Sequence, residues 1–119
     1  MLELHLRPMP TDDHPDGNEP AAVVITRFPC VLGRNARCDE HIDDLMVSRQ
    51  HCKFILRDDW VWVEDLASRN GTVLNGERLT RAMPIGDGDV LHVGQRAFQV
   101  QLQNAPVGSL ASPFAPAVH

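Results

Sequence analysis

Tyrosine is absent from this 119-residue chain, lysine occurs once, and cysteine only three times. No apolar run approaches the roughly 18 residues that a helix needs to cross a bilayer. The start, MLELHLRPMP, has neither the basic region nor the long apolar core of a secretory signal, so a cytoplasmic location is expected. The cysteines, Cys30, Cys38 and Cys52, are odd in number, which disfavours a closed disulfide framework and suits buried thiols in a reducing compartment. They also lack paired C-x-x-C units. A zinc set drawn from Cys30, Cys38, His41, His51 and Cys52 would rest on Cys38-x-x-His41 alone, so no metal and no cofactor are expected. Aromatic residues make up only 5% of the chain and the net charge is −5, which argues against nucleic acid and against an anionic membrane as partners. Trp60 and Trp62, on one short segment, read as packing or edge residues. Ser48, His51 and Asp65 are the ingredients of a hydrolytic triad, but there is no G-x-S-x-G elbow and no oxyanion loop, so the chain is not expected to be an enzyme.

Arginine, by contrast, is plentiful. Of 11 cationic residues only Lys53 is a lysine. Arginine is the side chain suited to planar, bidentate recognition of carboxylate or phosphate. A GC-rich genome produces the same bias, so placement has to decide.

The apolar pattern is that of short strands. Leu2 to Leu6 alternates, Ala22 to Thr26 and Cys30 to Leu32 read as strands, and Cys52 to Arg57 with Trp60 to Glu64 reads as a hairpin turning at Asp58-Asp59. Asn70-Gly71 and Asn75-Gly76 are hairpin-type turn dipeptides flanking the short strand Thr72 to Leu74. Val90 to Val93 and about Arg96 to Leu102 complete the set. No window holds a helical period, which predicts an all-β, two-sheet sandwich. Pro8 to Pro20 is rich in proline and acids and reads as a solvated loop. The expected division is a domain over residues 1–103 and an Ala/Pro-rich tail or linker over 104–119.

Three loops concentrate donors for an anion: Gly33-Arg34-Asn35-Ala36-Arg37, Val47-Ser48-Arg49-Gln50-His51, and Ala67-Ser68-Arg69-Asn70-Gly71-Thr72. Guanidinium, hydroxyl, amide and turn N–H groups recur, with no carboxylate cluster beside them. Donor-rich loops on a rigid β-scaffold form a plausible binding surface.

The order Gly33-Arg34, then Ser48-x-x-His51, then Ser68-x-Asn70-Gly71-Thr72-x-x-Asn75-Gly76, followed by Gly88-Asp89-Val90-Leu91-His92-Val93-Gly94, resembles the forkhead-associated (FHA) domain. The resemblance covers about Leu2 to Leu102. It implies a sandwich of about eleven short strands that binds phosphothreonine peptides on loops at one end. Arg34 would bind the phosphate, and Ser48 would donate its hydroxyl to the same group. Arg49 would contact the phosphate through its backbone N–H or side chain, and Asn70 would hydrogen-bond the peptide main chain. Gly33, His51, Gly71, Thr72 and Asn75 would shape the loops. Arg69 stands where many members carry a small hydroxyl residue; it can add a charge-assisted bond or lie in solvent. The implied partner is a Thr-phosphorylated protein, itself a substrate of a Ser/Thr protein kinase. The alternative is a scaffold that uses the same fold for phosphate-independent protein contacts.

Overall fold

A computed structural model describes residues 2–9 and 22–104. The described residues form eleven strands and no helix: β1 (Leu2–Pro8), β2 (Val23–Ile25), β3 (Cys30–Gly33), β4 (Glu40–His41), β5 (Cys52–Arg57), β6 (Trp60–Asp65), β7 (Thr72–Leu74), β8 (Glu77–Arg78), β9 (Met83–Ile85), β10 (Val90–Val93) and β11 (Arg96–Asn104). Accordingly, no helix among them is long and apolar enough to cross a membrane.

The strands make two sheets, in the orders β2-β1-β11-β10-β7-β8 and β4-β3-β5-β6-β9. Alternation decides the layering, because successive side chains of a strand point to opposite faces. Leu4 and Leu6 of β1, Leu91 and Val93 of β10, and Phe98 and Val100 of β11 turn inward from the first sheet. Leu32, Phe54, Val61, Val63 and Ile85 turn inward from the second, and together these residues form one buried core. The partners on the outer face of the second sheet are mixed: Lys53 lies across from Glu64 and Ile55 across from Trp62.

Turn chemistry sets the hairpins. Asp58 and Asp59 both take positive φ, 53° and 67°, and close β5 onto β6 with Arg57 opposite Trp60. Asn75 and Gly76, at 51° and 88°, do the same between β7 and β8. Both are two-residue loops with the φ signs of a type I′ turn, whose twist matches that of the paired strands.

The structure departs from the sequence-based expectation in several places. Asn70-Gly71 is not a hairpin turn: β6 lies in one sheet and β7 in the other, so residues 66–71 are a crossover. Only Gly71 of that pair has positive φ, at 86°. Pro8 belongs to β1, opposite Phe98, rather than to the following loop. The rest of that loop, from residue 10, lies outside the described residues, as does the tail from residue 105. Ala22 lies outside β2, and β11 continues to Asn104. Finally, β4, β8 and β9 have no counterpart in the sequence pattern, because two or three residues carry no period and these three lack the paired Asn-Gly turns that mark β7. Pro84, on β9 at a sheet edge, is where a strand tolerates the loss of an N–H.

Candidate functional site

The crossover from β6 to β7, the turn after β3 and the loop before β5 meet at one end of the sandwich. Their meeting depends on Gly33. A side-chain carbon there would overlap the carbonyl oxygen of Arg49 and crowd Gln50, so glycine alone lets the end of β3 lie against the second loop. The two backbones are then joined by Arg34 N–H to Ser48 O at 2.9 Å and Asn35 N–H to Arg49 O at 3.2 Å.

His51 binds the third loop to the other two. It is fully buried; its Nδ1 accepts from Ser48 N–H at 3.0 Å and its Nε2 lies 2.8 Å from Gly71 O. A carbonyl can only accept, so Nε2 carries the proton and Nδ1 is the lone-pair nitrogen. Its own N–H donates to Leu32 O. Both ring nitrogens are thereby occupied, and neither is left to take the Ser48 hydroxyl proton.

Asp65 organises the crossover from within. One carboxylate oxygen accepts the hydroxyls of Ser68 and Thr72, the latter at 2.7 Å, and the other accepts Ser68 N–H at 3.0 Å. The Ser68 oxygen in turn accepts Gly71 N–H. Burial, the largest single influence, pushes the Asp65 carboxyl up, but the bonds from Ser68 and Thr72 together with nearby His51 outweigh it and hold the group below its usual range. Asn75 is similarly tied, accepting Val90 N–H at its side-chain oxygen.

On this frame stands an open cleft of about 520 Å3, lined by Arg34, Asn35, Leu45, Met46, Ser48, Arg49, Gln50, Leu66, Arg69 and Asn70. Arg34, Ser48, Arg49, Arg69 and Asn70, the five side chains expected at a binding site, therefore share one concavity. Arg34 is anchored by Nε–H to Val47 O at 3.1 Å, and its terminal NH2 groups bond to no described residue. Ser48 Oγ accepts Arg69 N–H at 2.9 Å, which leaves its own proton for another acceptor. Asn70 spends one amide N–H on Met46 O at 2.8 Å, leaving its oxygen and second N–H. The lining holds three guanidinium groups and no carboxylate, although the whole chain carries a net charge of −5.

Several contributions have no counterpart in the sequence reading. Asp65 and Ser68 stand in it as a triad ingredient and a loop donor, but their capping of the crossover is signalled only by their three-residue spacing, the pattern of a side chain capping its own turn. Leu45, Met46 and Leu66 had no such signal. Nor did Arg96, which pairs with Asp44 at 2.6 Å and so holds the loop before β5 against the β10–β11 hairpin. Cys38 also acts here, donating its thiol to Arg49 O at 3.1 Å. Cys30 and Cys52 are core residues: burial, assisted by Glu40 and Asp39, pushes the Cys30 thiol up to about 12, and burial pushes Cys52 up as well.

The chain is similar in sequence and fold to several known proteins. It is 26% identical to mouse (Mus musculus) proliferation marker protein Ki-67 over 98 residues, 82% of this chain but 3% of that protein. It is 27% identical over 81 residues to the FHA domain-containing protein FhaB of Mycobacterium tuberculosis, covering 68% of this chain and 52% of the relative. The chain thus spans about half of one curated relative or far less of another. Among solved structures, Mycobacterium tuberculosis EmbR in complex with a low-affinity phosphopeptide superposes with a TM-score of 0.71 at 23% identity, over 89% of this chain and 26% of that one, a likeness of fold. The FHA domain family model matches residues 30–94, from β3 through the β10–β11 turn and across all three loops, and the chain belongs to the FHA domain family.

Proposed function

We propose that the cleft binds a phosphothreonine-containing segment of another protein, a substrate of a Ser/Thr protein kinase, and that the chain is a binding module rather than a catalyst. The observation that carries this reading is the convergence of Arg34, Arg49, Arg69 and the free Ser48 proton in one concavity without a carboxylate. A phosphate dianion requires several convergent donors and repels carboxylates. Each charge-assisted hydrogen bond contributes about 1.5–3 kcal/mol, and a few of them, less the cost of association, support roughly micromolar affinity. Asn70, with an amide oxygen and one N–H uncommitted, is suited to the peptide main chain beside the phosphate. His51, whose nitrogens hold the loops together, supports binding without chemistry. A cytoplasmic setting belongs to the same reading; all three thiols are free. The phosphopeptide bound in the EmbR structure lends support, as a property of that protein.

Calorimetric titration of matched peptides with threonine, phosphothreonine or phosphoserine tests the reading. Binding of the phosphothreonine peptide alone, or with a clear margin over phosphoserine, is the expected result. Equal binding of the unphosphorylated peptide would establish the phosphate-independent scaffold instead.

A further inference from the structure

Beside the cleft, outside its lining, lies one more arginine. Arg78 is on β8, the edge strand of its sheet, opposite Val73. Its side chain lies along Gly71: a Cβ built on that glycine would stand 2.7 Å from Arg78 Nε and 3.0 Å from Cζ. Gly71 follows Asn70 directly, and its own N–H and carbonyl are committed to Ser68 and His51. The guanidinium is exposed, and among the described residues it makes no hydrogen bond and no ion pair. It borders a groove of about 260 Å3 that also holds Arg81, Thr80 and one acid, Glu77.

An unpartnered guanidinium beside Gly71, one residue beyond the cleft wall, is not needed to hold the loop, whose backbone is already bonded. Nor does it line the phosphate cleft. An extended peptide advances about 3.3 Å per residue, so a segment with its phosphothreonine in the cleft reaches Arg78 within a few residues of the phosphate. We propose that Arg78 is a specificity-determining residue that selects an acidic side chain close to the phosphothreonine; this rests on the phosphothreonine reading of the cleft. The glycine is part of the device, because any larger residue at position 71 would displace the arginine from its seat.

The test is a phosphothreonine peptide library, degenerate at the flanking positions, screened with the wild-type chain and with Arg78→Gln. The wild type should enrich Asp and Glu at one flanking position by about threefold, a size typical of an ion pair at the rim of an interface. Arg78→Gln should lose that enrichment while retaining the preference for phosphorylated over unphosphorylated peptide and the wild-type melting temperature. Arg78→Lys, which keeps the charge without the fork, should retain part of it. Higher salt should weaken the acidic preference before it abolishes phosphopeptide binding. No acidic enrichment in the wild type, or enrichment that survives Arg78→Gln, overturns the assignment of Arg78 and leaves the phosphothreonine reading standing. Loss of all phosphate preference in the wild type overturns both.

Discussion

Arg34 is held in place before any ligand arrives. Its Nε–H is bonded to Val47 O, so the side chain is restrained and only the terminal nitrogens remain to be satisfied. Part of the ordering cost of binding is therefore met during folding. Arg34→Ala should weaken phosphopeptide binding at least about tenfold, since losing one partner of a desolvated charge pair costs roughly 2–5 kcal/mol. The variant should melt like the wild type, because Arg34 is only half-buried and its backbone bond to Ser48 survives. Calorimetry with parallel thermal melts checks both halves. His51 should behave in the opposite order. Removing a fully buried ring strands Ser48 N–H and Gly71 O, each costing about 1–3 kcal/mol, besides leaving a cavity. The expected result for His51→Ala is a fall in the urea midpoint, with affinity declining because the loops loosen. A variant as stable as the wild type that no longer binds would place His51 in direct contact with ligand.

At the scale of elements, the site joins two loops of the second sheet to the crossover that leads to the first, and Gly33 is where the turn after β3 lies closest against the loop before β5. Gly33→Ala should drive the end of β3 away from Arg49 and lower stability and phosphopeptide affinity together, through the bonds that join Arg34 and Asn35 to Ser48 and Arg49. Unaltered melting and binding would show that the two loops yield without cost. How much of this was legible in the sequence follows from the range of each signal. Strands β5 and β6 were readable because six residues suffice to display alternation, and Asp58-Asp59 between them supplies the turn. Two-residue β4 and β8 display none. The dipeptide Asn70-Gly71 looked like a second hairpin because local chemistry is the same whether a chain doubles back or changes sheets. Its course is decided by Asp65, Ser68 and His51, through contacts up to twenty residues apart in sequence. In the cleft, Arg34, Ser48, Arg49 and Asn70 were legible as a family pattern in fixed order, and Arg69 as a departure from that pattern. The apolar side of the cleft, Leu45, Met46 and Leu66, and the Arg78 seat on Gly71 were not, because each arises only when separate strands are brought into register.

The whole molecule sets an acidic body against a cationic cleft. With a net charge of −5 at neutral pH and an isoelectric point near 5.6, mild acidification relieves self-repulsion, while the Asp65 network is still intact. Further acid reverses the trend. The Asp65 carboxyl is held below its ordinary value of 3.8 in the folded chain, so the unfolded chain takes up the proton first. Its contribution is therefore complete above about pH 4 and is lost as pH falls through the folded value. Because the same carboxylate accepts from Ser68 and Thr72 and spans the crossover that carries Arg69 and Asn70, its protonation loosens the binding end in particular. Asp65→Asn places an amide N–H against a ring of donors and should cost about 1–3 kcal/mol at neutral pH. Its stability should then vary less than that of the wild type between about pH 4 and pH 2, where the lost carboxylate can no longer titrate. Denaturant midpoints measured for both proteins across that range provide the check. Parallel curves, with a constant gap down to the lowest pH, would mean that Asp65 holds the crossover by shape alone and that the acid limit of this fold is set by other carboxylates.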